Sequence, residues 1–498
     1  MKSLRNAVLT LALLIAVAAS STAFAAGSTL VIGIYQDVAQ MNPIRTTSAA
    51  NLRTTTQIIE SLFRLDASTG ELVPHLATGS ERLDDLTLQI TIREGVSFTN
   101  GEPVDAAAVK FSIETLAVEP VQVVALGAVS HVDIVDDLTV NVVTKEPYPL
   151  LALSLALNGH VVPPLYYQEV GPDGFAANPI GSGPFAFEER VAGQSITLVR
   201  NDDYWAGPVA YERVEFRPIP EDSSRIAALL AGEVDIATNV PASQYDRIDQ
   251  SAGVDVASVI GFSAKLALLD GLPDSPLEDP RVRQAVNLAI DKETLLEVLY
   301  DGHGQLSTCQ LGTPAFFGYN PNLTPYPYDP ERARELLAEA GFADGVTIDY
   351  KYRTSSGDGE LTEAIAAMLE DVGFTINHIV LEGGEFLRQL TSFELRNIST
   401  LGITTAPDTT YGHNIFLQDA PYSYYRNPAF DEVVLEARST IDSDQRRALL
   451  WNAAEIACND PVALFLFSLE DIYGVSERVH GWSPSPDNLF YLEDVTLD

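Results

Sequence analysis

Few side chains in this chain are spaced for making or breaking bonds. There is no Gly-x-Ser-x-Gly elbow, His-Glu-x-x-His pair, Walker loop or Cys-x-x-Cys. The seven histidines are scattered, with no two at helical ligand spacing, so no metal site is expected. With 69 acidic residues, a carboxylate pair carries no information about acid–base work. What remains suits holding a molecule rather than transforming it. Tyr411, His413 and Asn414 lie near Tyr422, Tyr424 and Tyr425. A tyrosine pairs an apolar face with a polar tip, which fits sugars and mixed ligands as well as it fits packing. Asp408 follows Pro407 and either caps a turn or offers a carboxylate to a cation. Arg388 and Arg396 could meet an anionic group or simply face solvent. Cys309 and Cys458 form either a disulfide or two separate buried thiols. If bonded, they close a loop of roughly 150 residues, which could stabilise the chain by about 4–5 kcal/mol.

The elements that would position these groups follow an N-terminal address. Lys2 and Arg5 precede an apolar run from Ala7 to Ala19, and Ala23-Phe24-Ala25 is a small-x-small site. Residues 1–26 therefore read as a secretory signal peptide cleaved after Ala25 or Ala26. No cysteine stands there for a lipid anchor, and no later apolar run has the length of a membrane span. The remaining chain exceeds one hydrophobic core and predicts two or three domains. The net charge of the full chain, −39, makes nucleic acid and anionic membranes poor partners.

Strand patterns recur at 29–34, 86–92, 132–143 and 216–220, and a helix-like run covers 57–63. Asp105 is placed to cap a helix carrying Val109 and Ile113, and residues 221–224 to cap one carrying Ile226 and Leu229. Asp279-Pro280 and Asp329-Pro330 each start a helix with an acidic cap and proline in the first turn. Residues 309–328 are rich in Pro, Gly and aromatics and read as a long surface loop. Strand, helix and strand alternate throughout, as in mixed α/β layers.

Five segments occur in an order that resembles the family 5 extracellular solute-binding proteins. They are Asn178-Pro179-Ile180-Gly181-Ser182-Gly183-Pro184-Phe185 with Asn201-Asp202-Asp203-Tyr204-Trp205, then Phe98-Thr99-Asn100-Gly101-Glu102-Pro103-Val104-Asp105, Gly232-Glu233-Val234-Asp235-Ile236, Asp279-Pro280-Arg281-Val282-Arg283-Gln284-Ala285, and Asp329-Pro330-Glu331-Arg332-Ala333. Leu72-Val73-Pro74-His75-Leu76-Ala77 adds to them. The resemblance covers roughly residues 30–495 and implies an α/β periplasmic-binding-protein-like two-lobed fold of the class II, cluster C type. A ligand cleft lies between the lobes, and an extra subdomain is inserted in the first. Lobe I is expected at 27–264 plus 478–498, with the insertion at about 62–175, and lobe II at 265–477. The two chain crossings would fall near 263–268 and 473–479.

The resemblance further implies a monomeric periplasmic subunit of an ABC importer. It would close on a peptide or small solute, deliver it to a membrane permease and use no cofactor. Residues 402–411 align with the family's specificity loop: Gly402, Ile403, Thr404, Thr405, Ala406, Asp408 and Tyr411, with His413 beyond. Ile403 stands where peptide-binding relatives often have tryptophan. Ala406 stands where they have the aspartate that holds the peptide ammonium, and only a two-residue shift would give that role to Asp408. Thr46, Thr47 and Ser48 would form the opposite wall, and Asn158 and His160 a cleft loop. Arg388 is a further candidate. An opine, oligosaccharide or metal chelate therefore competes with peptide as the cargo, and a hydrolase or a sensor accessory protein is the reading from another class.

Overall fold

A computed structural model describes residues 28–66, 69–353 and 358–498. The expected signal peptide at 1–26 lies outside the described residues. Alternating burial in Thr29–Ile34 puts Leu30 and Ile32 in the core. This strand pairs in parallel with Arg213–Pro218 and with Ile236–Ala237. The hairpin Phe185–Val191 and Ser195–Arg200 extends that side antiparallel. The other side is built from Ser263–Leu269, Ile398–Thr404, Val346–Arg353 and Phe374–Leu381, the last two parallel.

The long strand Ala463–Ser476 joins the two sides. Residues 463–467 pair with Ser263–Leu269, and residues 470–476 pair with Val254–Ile260. Both chain segments that link the two halves therefore run side by side, with the exchange at Gly261 and Phe262 on one and between Phe467 and Glu470 on the other. The result is a mixed α/β molecule of two lobes.

A separate four-stranded antiparallel sheet, Ala77–Arg82, Thr87–Ile92, Thr139–Thr144 and Val129–Asp136, sits beside the first lobe. Helix Ala106–Val118 packs on it, capped by Asp105 through the amides of Ala107 and Ala108. Leu30 and Ile32 of the main sheet share one apolar cluster with Ile90 and Val140 of this sheet and Val109 of its helix. This sheet and helix are thus joined to the main sheet by common burial rather than tethered to it. The second lobe has its own clusters, one under Val282, Val286 and Ile348 and one under Leu266, Phe430 and Phe465.

Most of the expected caps form. Asp279, Asp291 and Asp329 each accept a backbone amide at the start of a helix. Helix Asp222–Leu230 begins without a side-chain cap, contrary to the reading of residues 221–224. The helix expected over 57–63 lies earlier, at Ala49–Thr55. Its continuation is diverted because the carbonyls of Gln57, Ile58 and Glu60 accept from Phe185, Gly183 and Val161 instead of from a next helical turn.

Candidate functional site between the lobes

One wall is the end of strand Ile398–Thr404 and the turn that follows. Thr405 donates both its amide and its hydroxyl to the carbonyl of Phe262, at 3.0 and 3.1 Å, fixing the turn to a chain crossing. Gly402 and Thr404 are exposed, Ile403 and Thr405 half-buried, and Ala406 buried. Asp408 caps helix Thr409–Asn414 through the Thr410 amide at 2.9 Å. Its two oxygens accept from Arg446 Nη2 at 2.6 Å each, and both side chains are nearly sealed from solvent, at 5% and 6% exposure. The carboxylate is spent inside the protein as cap and counter-ion and is not offered to a ligand ammonium.

Tyr411 reaches across to the first lobe. Its hydroxyl lies 2.9 Å from Ser154 Oγ on helix Leu151–Asn158, and Ser154 is in turn 2.9 Å from the Tyr148 hydroxyl. Burial pushes the Tyr411 hydroxyl well above the usual tyrosine range, so it stays protonated. Beside this link Leu65, Phe262 and Phe316 form a small apolar cluster, with Phe262 and Phe316 edge to face at 5.2 Å. Leu65 lies in the short strand Phe63–Leu65, Phe262 at a crossing and Phe316 in the loop after Cys309.

The remaining candidates divide. Thr47 and Ser48 are exposed at the start of helix Ala49–Thr55. Thr46 is buried, and its hydroxyl accepts from the Ser48 amide and Asn51 Nδ2, so it holds the turn. Asn158 is half-buried at the end of its helix. His160 lies behind the wall: its Nδ1 is 3.0 Å from Ser61 Oγ, and burial lowers its pKa to about 4. His413 is buried edge-on to Phe430, with its pKa also lowered to about 4 by burial. Both imidazoles are neutral packing groups, away from the accessible surface. Arg388 stands on the outside of helix Gly383–Thr391, held by Glu385 at 2.7 Å and Glu394 at 2.8 Å. It is a surface ion-pair residue, which corrects its reading as a ligand contact.

At the crossing the structure assembles polar groups that sequence reading missed. Arg53 donates to the Asn488 carbonyl at 2.8 Å, to Asn239 at 3.1 Å and to the Asn488 side chain. Asn488 also accepts from the Tyr473 hydroxyl at 2.9 Å and donates to Asp471 at 2.7 Å. Asp471 lies against Gly261, and burial raises its pKa to about 6 despite the nearby Arg53 charge. These residues are up to 435 positions apart, and no local pattern joins them. Arg353, at the C-terminal end of a parallel strand, was missed as well. Its Nη2 lies 3.7 Å from Asp358 while its Nε has no hydrogen-bond partner among the described residues, and strand ends of this kind border the ligand crevice in open α/β sheets.

The Gly181-Ser182-Gly183 segment proves to be framework. A Cβ at Gly181 would lie 1.9 Å from the Ile58 carbonyl oxygen, and one at Gly183 would lie 2.6 Å from that of Gln57. Only glycine permits that approach. Ser182 Oγ donates to buried Glu60 at 2.7 Å, and Tyr204 and Trp205 donate to the same carboxylate at 2.9 and 3.1 Å. The two quoted stretches of this segment therefore meet on one acid. In the second lobe Cys309 and Cys458 are bonded. Among the described residues no group of three His, Cys, Asp or Glu is arranged to hold a metal ion.

Two lobes, two adjacent crossings and a contact across the gap define a solute-binding fold that closes on its ligand. The chain belongs to the bacterial extracellular solute-binding proteins, family 5 Middle, which it matches over residues 71–423. It is 25% identical over 436 residues to the glutathione-binding protein GsiB of Pectobacterium atrosepticum, covering 83% of each chain. It is 25% identical over 475 residues to the dipeptide-binding protein of Escherichia coli K12, covering 88% of each. The ABC transporter substrate binding protein CtaP of Listeria monocytogenes superposes with a TM-score of 0.87 at 21% identity, covering 95% of this chain and 99% of that one. The protein is a substrate-binding protein of ABC transport. Among the described residues no helix is long and apolar enough to cross a membrane.

Proposed function

We propose that this protein works in the periplasm without catalysis, taking a peptide or peptide-like solute between its lobes and handing it to a membrane permease as a monomer. The observation that carries this reading is the contact of Tyr411 with Ser154, which supports residues 402–411 and helix Leu151–Asn158 as two walls of one closing cleft. A ligand that touches both walls favours closure by its differential affinity. Lobe I is assigned to about 27–260 plus 470–498, with the insertion at about 62–175, and lobe II to about 263–467. The strand pairing favours crossings at 261–262 and 468–469 over 473–479. Thr47, Ser48, Asn158, Gly402, Ile403, Thr404 and Thr405 are the proposed contacts, joined by Arg353 and Asp471.

The second reading is a non-peptide solute, such as an opine or oligosaccharide, and the engagement of Asp408 by Arg446 favours it. An ammonium brought into the loop would meet no free carboxylate there, and an unpaired buried charge costs several kcal/mol. Native mass spectrometry of the purified protein, beside the same sample denatured, separates the two. A peptide mass lost on denaturation supports the first reading, and a non-peptide mass the second. A protein that retains no solute and gives no thermal shift with peptides, opines or oligosaccharides refutes both.

A further inference from the structure

Residues 69–72 of the insertion face the loop after Cys309 across a cavity of about 610 Å³. That volume lies within the range of small-molecule sites. The loop is unusual for this chain. One residue in five is charged overall, yet no Asp, Glu, Lys or Arg occurs between Asp301 and Asp329. The loop has no regular secondary structure from Ser307 to Asp329, and loops of that length in compact domains are usually functional.

It is nevertheless firmly built. The Cys309 disulfide ties its start to helix Ser443–Asn459. The Gln310 side chain bonds the Asn320 backbone in both directions, at 2.9 and 3.0 Å. Trp451 Nε1 donates to the Tyr319 carbonyl at 2.9 Å. Gly318 has φ +78°, and a Cβ there would come within 2.4 Å of Leu450. The aromatic wall of Phe317, Tyr319 and Trp451 is thus fixed before anything binds, which lowers the entropic cost of binding. Leu72 and Leu153 close the other side.

Two guanidinium groups lie over the Phe317 ring, Arg446 at 4.7 Å and Arg447 at 5.1 Å. Arg446 is committed to Asp408. Among the described residues Arg447 pairs with Asp444 alone, whose side chain is 88% exposed. A pair so screened contributes little, and another carboxylate can exchange into it. Glu71 is the exposed acid on the opposite wall and would turn such a carboxylate toward Arg447.

We propose that this cavity is a second binding site, at the rim of the cleft, for a small carboxylate carrying an aromatic or branched aliphatic group. The ring or alkyl group packs on Phe317 and Trp451, and the acid replaces Asp444 on Arg447. Because its walls come from both lobes, the occupant also favours closure.

Calorimetric titration of the mature protein with 4-phenylbutyrate and with 4-phenylbutanol tests this. The acid should bind at least tenfold more tightly than the alcohol. R447Q should reduce it to the level of the alcohol, and L72D, on an exposed strand residue of the facing wall, should weaken both. Equal affinities in the wild type, no binding of the acid, or a preference that survives R447Q would overturn the proposal. Solute capture in the cleft is read separately, by native mass spectrometry of the same preparations, so either conclusion can fail alone.

Discussion

Two aspartates border the cleft in opposite circumstances. Asp408 shares both oxygens with one nitrogen of Arg446 and caps a helix, so its charge is answered by a buried guanidinium and a backbone amide. Asp471, at the crossing, receives one hydrogen bond from Asn488 and only the longer-range field of Arg53. The first has been converted into scaffold. The second keeps an incompletely compensated charge at the point where the lobes must rotate. Proximity to the cleft therefore does not tell which carboxylate is available. The partners it already holds do.

The largest effect should come from breaking the first pair. Arg446→Leu leaves Asp408 buried without its cation, and such a loss costs about 3–5 kcal/mol. The double variant carrying Asp408→Asn as well should recover much of that, because no charge is then stranded. Denaturant unfolding of the two single variants and the double gives the coupling. If their losses simply add, Asp408 is not engaged as described, and its availability to a ligand would have to be reconsidered.

The contrast also marks how far the sequence could be read. Asp279 and Asp329 were legible as caps because cap, proline and helix are contiguous. Glycines 181 and 183 were legible as a turn, but not as the place where two backbones touch, since Ile58 lies more than 120 positions away. Asp408 carried two readings, turn cap and ligand carboxylate. The arginine that decides between them is 38 residues downstream on another helix. His160 and His413 looked like contacts because they neighbour the right segments. Which way a side chain faces depends on packing against distant residues such as Phe430. The polar cluster at the crossing had no signal at all, since each member is an ordinary residue until the fold brings the chain ends together.

Asp471 should show itself through pH. Its folded-state pKa of about 6 lies above the value of about 3.9 expected unfolded. Between these values the folded form binds more protons than the unfolded. Its stabilising contribution is therefore complete below about pH 4 and is lost as pH rises through about 6. The difference amounts to about 3 kcal/mol at most. Asp471→Asn should then match the wild type near pH 4 and exceed it in stability at pH 7.5. Unfolding curves at the two pH values, compared as wild type minus variant, cancel the background of the other acids. A difference that does not change with pH would mean the carboxylate is as well compensated as Asp408.

The smallest effect concerns the contact that spans the gap. Tyr411→Phe removes one hydroxyl pair, for which a net hydrogen bond of about 1 kcal/mol is the expected magnitude. That corresponds to a shift of about fivefold in the closing equilibrium. Global stability should hardly change, because each lobe keeps its own core. Solute affinity should fall by the same factor, and distances measured between labels on the two lobes should show more of the open form. Ser154→Ala should shift the closing equilibrium to the same extent, and the double variant should shift it no further, since the bond across the gap is lost only once; the additional loss of the Ser154–Tyr148 pair falls within the first lobe and is read as stability. If Tyr411→Phe left affinity and lobe distances unaltered while Asp471→Asn changed both, control of closure would lie at the crossing and not at the far wall.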